Sequence, residues 1–137
     1  MALYTAQILS FGYQHGAPPA DAALVLDLRN ALYDPRLDPA GPQPTARDGR
    51  ALQQLADNPR ARDIVRNVAE LVASLGTTSP RPTVKTNGHY EIRVHVALGC
   101  ADGRLRAPGL AILTAQALAA AGWNTELNHR DLDRPAS

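Results

Sequence analysis

A chain of 137 residues fits one domain better than two and is long enough to bury a core without metal or disulfide help. Fourteen basic against thirteen acidic residues give a net charge of +1, which argues against a dedicated nucleic-acid binder while leaving room for a local patch. The single cysteine excludes an intramolecular disulfide framework, no apolar run has the length of a membrane span, and the first residues lack a signal-peptide pattern, so the expectation is a cytoplasmic protein with no membrane contact.

Ala6 to Phe11 reads as a short apolar strand ended by Gly12, and His15-Gly16-Ala17-Pro18-Pro19 is turn material. Ala23-Leu24-Val25-Leu26 is a continuous apolar run, as in strands buried on both faces, and it stops at Asp27-Leu28-Arg29. Prolines 35, 39, 42 and 44 make the stretch near 30–44 a long irregular loop. Thr45 and Asp48 form a weak capping box for a short helix reaching about Ala56. A longer helix follows, with Asn58 as cap, Pro59 at its first position and Gly76 as stop. Along it Ile64, Val65, Val68, Leu71, Val72 and Leu75 form one apolar stripe, and Arg60, Arg62, Arg66 and Glu70 form a solvated face.

The stretch near 76–88, rich in Thr, Ser, Pro and Gly, reads as a flexible linker. Tyr90 to Leu98 reads as a strand in which Arg93 and His95 alternate with Ile92, Val94 and Val96, leaving one face partly wet. A polar turn from Gly99 to Arg106 leads to a helix over Pro108 to Ala121, stopped by Gly122. Trp123 to Asn128 suits a last strand, and 133–137 is a tail. The order β-β-α-α-β-α-β predicts one α/β domain with a mainly parallel sheet of about four strands flanked by helices.

The turn is Gly99-Cys100-Ala101-Asp102-Gly103-Arg104-Leu105-Arg106. It stands at the carboxyl end of a strand, where open α/β sheets place ligands. Successive amides in such a turn form an anion-binding nest, and the helix N-terminus adds partial positive charge. Arg104 and Arg106 add forked donors suited to phosphate or carboxylate, while Asp102 opposes an anion if it points inward. Equally, these residues make an ordinary strand-to-helix connection with surface arginines and a small buried Cys100. The spacing Cys100-x-x-Gly103-x-x-Arg106 also fits the Cys-x5-Arg loop of phosphatases, with Cys100 as nucleophile and Arg106 as oxyanion holder, although Ala107 stands where a hydroxyl is usual. His15, Asp27 and Arg29 close strands at the same edge, and His129 and Arg130 follow the last strand as rim or RNA contacts. His89 and His95 read as sheet-face residues, and Tyr13 and Trp123 as packing residues. No His/Cys cluster has metal-ligand spacing, and no cofactor is expected.

Five segments occur in order: Leu9-Ser10-Phe11-Gly12-Tyr13, Leu26-Asp27-Leu28-Arg29, Tyr33-Asp34-Pro35, Leu98-Gly99-Cys100-x-x-Gly103-Arg104-x-Arg106 and His129-Arg130-Asp131-Leu132. Together they span nearly the whole chain and resemble the C-terminal domain of the RapZ (YvcJ) family, with its S-F-G-[FY], D-V-R, W-D-P, I-G-C-T-G-G-[KR]-H-R-S and H-R-[DT]-L motifs. The resemblance implies an α/β module usually placed after a P-loop domain; no G-x-x-x-x-G-K-[ST] occurs here, so nucleotide hydrolysis is not implied. It also implies sensing of the amino-sugar phosphate glucosamine-6-phosphate, binding of small regulatory RNA that is presented to an endoribonuclease, and self-association. Its sensing pocket maps to Asp27, Cys100, Ala101, Asp102 and Arg106.

The chain departs from the family pattern at Ala101, Asp102, Leu105 and Ala107, where threonine, glycine, histidine and serine are usual. The connection after Arg29 is shorter, which leaves Leu32 nearest a family histidine, and the basic C-terminal run is absent. The expectation is a non-enzymatic binding or adapter module that recognises a small anionic metabolite, a phosphosugar or a nucleotide. Its ligand would lie among His15, Asp27, Arg29, Gly99, Cys100, Ala101, Asp102, Gly103, Arg104 and Arg106. The bound state would pass to a protein or RNA partner, with a homo-oligomer as a further candidate. The alternatives are an RNA-binding regulatory module and a Cys-x5-Arg phosphatase-like enzyme.

Overall fold

Alternating side chains along two long strands build the centre of the molecule, because each strand turns one row of residues to the helices and the other away from them. The computed structural model describes residues 2–32, 44–78, 84–86 and 89–135. Its elements are β1 (Ala2–Gly12), β2 (Leu24–Asp27), α1 (Gly49–Asp57), α2 (Pro59–Thr77), β3 (Val84–Thr86), β4 (His89–Cys100), α3 (Arg106–Ala120) and β5 (Asn124–His129). The strands β2, β4, β1 and β5 lie in that order and are all parallel, so the fold is α/β. β3 pairs antiparallel with the first half of β4, on the edge whose second half pairs with β2.

All three helices pack on one face of the sheet. Ala6 and Ile8 of β1 and Val94, Val96, Leu98 and Cys100 of β4 meet Leu55 of α1, Val68 and Val72 of α2, and Leu110 and Leu118 of α3. Burying a leucine of this kind is worth about 1.5–3 kcal/mol, so these contacts fix which face the helices take. The opposite face carries no helix among the described residues. There Arg93 bridges Glu91 at 2.8 Å and Glu126 at 2.7 Å, and His95 Nδ1 lies 3.4 Å from Asp21. The wet face expected of β4 thus carries a polar cluster in which Arg93 bridges Glu91 of its own strand and Glu126 of β5.

Several sequence expectations change. β2 is an outer strand, with Val25 39% exposed, and is not buried on both faces. Gly76 does not end α2 but lies inside it, where a Cβ would strike the Trp123 ring. Leu71 and Leu75 leave the apolar stripe and are exposed. The stretch read as a linker near 76–88 begins inside α2 and contains β3. Asn58 caps α2 as expected, accepting two backbone amides, whereas the Thr45/Asp48 capping box does not form: Asp48 is itself the N-cap of α1 and accepts the amides of Arg50 and Ala51. Tyr33-Asp34-Pro35 and most of the loop near 30–44 lie outside the described residues, as do 79–83, 87–88 and the last two tail residues. No helix among the described residues is long and apolar enough to cross a membrane.

Candidate functional site at the carboxyl edge of the sheet

Four parallel strands release their chains at one edge, and each chain turns there into a sequence-selected segment. β1 leads into a single 3-10 turn, Tyr13–His15, and β2 into Leu28 and Arg29. β4 leads into the turn before α3, and β5 into Arg130 and Asp131.

The turn after β4 lies directly on the end of β1. Gly103 has φ +74°, and a Cβ there would come within 2.6 Å of Gly12 N. Only glycine fits both the conformation and the approach. Gln14 N donates to Ala101 O at 3.0 Å, joining the loops after β1 and β4. Beneath the turn lies Asp131, fully buried, whose Oδ2 accepts Gly12 N at 2.7 Å and Arg130 Nε at 3.1 Å, with Arg134 Nε 2.9 Å from Oδ1. A buried carboxylate needs such donors, since an unpaired charge there is strongly destabilising. Asp131 was read from the sequence only as part of a motif; its burial depends on tertiary packing.

Within the turn, two amides are already satisfied. Gly103 N donates to Cys100 Sγ at 3.3 Å, and Arg104 N donates to Asp102 Oδ1 at 3.0 Å. The same carboxylate oxygen is 3.9 Å from Cys100 Sγ. Asp102 therefore does point inward, and it supplies the turn with a negative group of its own. Cys100 is buried, with its sulfur beside that carboxylate.

The arginines divide by use. Arg29 forms a bidentate pair with Asp27, with 2.7 Å between Nη2 and Oδ2, and its guanidinium lies 3.8 Å from the centre of the Tyr13 ring. The Arg29 hydrogen bonds hold the Asp27 carboxyl below its usual range. Arg106 turns away from the turn, its Nη1 donating to the carbonyls of Leu28, Arg29 and Ala31. Arg130 straps the loop after β1 by donating to Gly16 O and Ala17 O. Arg104 differs: its Nε is shielded from solvent and has no hydrogen-bond partner among the described residues. His15 Nε2 is in the same condition.

Ser10 Oγ lies 2.7 Å from His129 Nδ1. Burial, reinforced by Arg47, lowers the His129 pKa, and Asp133 offsets part of this. Arg47 in turn makes a bidentate pair with Asp133. Ala101 lies within the turn, and Gly99 pairs with Phe11 and Asp27 in the sheet. No group of His, Cys, Asp and Glu among the described residues is placed to hold a metal ion.

Comparison with known proteins gives this edge a context. A family model described as the RapZ C-terminal domain matches residues 4–133. The chain is 35% identical over 137 residues to a nucleotide-binding protein of Jannaschia sp., covering 96% of this chain and 38% of that protein. It is 33% identical over 126 residues to a nucleotide-binding protein of Sphingopyxis alaskensis, covering 92% of this chain and 37% of that protein. It therefore spans under two fifths of the length of these relatives. The match runs through all four strand ends that form the edge, and the chain belongs to the RapZ C-terminal domain family.

Proposed function

We propose that this chain is a non-enzymatic binding module. It takes a small anionic metabolite, a phosphosugar or a nucleotide, at the carboxyl edge of its sheet and relays the bound state to a protein or RNA partner. The observation that carries this reading is the pair of shielded, unpartnered nitrogens, Arg104 Nε and His15 Nε2. They stand on two loops joined by the Gln14 to Ala101 hydrogen bond. Buried polar atoms are nearly always satisfied, and an unsatisfied pair at a strand edge fits a site that a ligand completes. The relatives' name, nucleotide-binding protein, supports the same ligand class.

The Asp27 carboxylate suits the hydroxyls of a sugar or ribose beside such an anion. An RNA-binding reading is less well supported, because Arg47, Arg130 and Arg134 at the rim are already paired with Asp133 and Asp131. Isothermal titration with hexose phosphates, amino-sugar phosphates and nucleotides tests the proposal. Binding that weakens about tenfold or more in Arg104→Ala is expected, the loss of one or two charge-assisted hydrogen bonds. A folded protein with no binding at millimolar ligand would overturn the reading. Retention of RNA that falls steeply with salt would favour the RNA module instead.

A further inference from the structure

Among the described residues, Arg106 is the side chain of the turn that bonds to a different strand end. Its Nη1 lies 3.0 Å from Leu28 O, 3.1 Å from Arg29 O and 3.0 Å from Ala31 O. An Nη1 carries two hydrogens, so three carbonyls share two donors. The positive charge gathers three oxygens that would otherwise repel one another.

The residue that follows them, Leu32, has φ +59°, the only positive φ of a non-glycine among the described residues. A bulky side chain stays in that region only when its surroundings hold it there. Leu32 packs half-buried against the core, and the segment before it is anchored by Leu28 N to Gly99 O at 2.7 Å and Ala31 N to Leu28 O at 3.1 Å. The segment is therefore tied at its start by the sheet and further along by one guanidinium, with a disfavoured backbone conformation at its end.

We propose that Arg106 is a coupling residue. Its Nη1 clamps the segment Leu28–Leu32, and an oxyanion bound at the turn draws the guanidinium away and releases that segment. The ligand half of this inference rests on the proposed function; the clamp does not. A phosphate adds an opposite charge and a forked, bidentate fit that neutral carbonyls lack, so an anion competes for the same guanidinium. Once the shared donor leaves, only packing against the core opposes the return of Leu32 to an ordinary φ. Occupancy of the turn then changes the surface that Asp27, Arg29 and Tyr13 present, which is what a partner would read.

Amide hydrogen exchange on the full chain separates the two halves. Arg106→Ala mimics the withdrawn guanidinium, and the Arg29 and Ala31 amides should exchange at least about tenfold faster, with α2 and β4 unchanged. Arg106→Lys should retain protection, since an ammonium has three N–H donors for three carbonyls. Leu32→Gly, which accepts a positive φ without strain, should reduce the effect of Arg106→Ala. If Arg106→Ala does not fold, Arg106→Met, which keeps an apolar stem and carries no donor, serves in its place. Equal exchange in the wild type and the clamp-deficient variant overturns the clamp. With inorganic pyrophosphate, shifts at the turn accompanied by faster exchange of Arg29 and Ala31 support the coupling. Shifts at the turn with unchanged exchange overturn the coupling and leave the binding site standing. No shift at the turn removes the ligand half and leaves the clamp to the variants alone.

Discussion

Asp102 places its own carboxylate on the Arg104 amide, so an arriving anion meets a negative group already in position. Two like charges a few Å apart cost about 1 kcal/mol in water and several times that in a partly dry site. Asp102→Asn keeps an acceptor for the Arg104 amide and removes the charge, whereas Asp102→Ala removes both. Both variants are expected to bind hexose phosphate about tenfold more tightly than the wild type, a change of about 1.4 kcal/mol. Calorimetry showing unchanged affinity would place the ligand away from this turn. Arg106 shows how far a residue's identity is from its use. Its charge and spacing were plain in the sequence, but the carbonyls it holds are backbone atoms 75 to 78 positions away, and nothing in their side chains signals that contact.

Elements were legible where their signals are local. Asn58 caps α2 because a short side-chain oxygen reaches amides two or three residues ahead, which spacing alone reveals, while Asp48 takes the cap of α1 that the spacing assigned to Thr45. Asn58→Ala should therefore cost about 0.5–2 kcal/mol in urea denaturation, with an unchanged midpoint counting against the cap. In sequence Gly76 resembles a stop because it stands near a helix end, and only the fold reveals that Trp123 lies against it. Gly76→Ala is expected to destabilise by about 1–3 kcal/mol, since overpacking must move either the ring or the helix. A stabilised variant, as helix propensity alone would predict, would contradict that packing. β3 escaped notice because its three residues sit among Thr, Pro and Gly and form a strand only by pairing with β4. β1 begins before the apolar run because Leu3, Tyr4 and Thr5 already pair in register with β4.

At the scale of the molecule, a one-sided helical layer leaves the carboxyl edge to be assembled from loops and the tail. The tail is tied in through Asp131 and through the Arg47–Asp133 pair beside His129. Because burial holds the His129 pKa below its usual value near 6.5, the unfolded chain takes up the proton first as pH falls. Its contribution to stability is then complete above about pH 6.5 and is lost as pH falls through the lower folded value. Urea midpoints should drop between about pH 7.5 and pH 5.5, and His129→Gln should remove most of that slope. A flat wild-type profile would contradict a half-buried His129 with a lowered pKa.

The central claim, that the carboxyl edge is the binding site, is tested most directly by following backbone amide shifts while titrating the chain with an amino-sugar phosphate or a nucleotide. Shifts are expected to concentrate at Tyr13 to Gly16, Asp27 to Leu32, Gly99 to Arg106 and His129 to Asp131. Saturable shifts confined to the outer face of α2 or to the opposite edge of the sheet would contradict it.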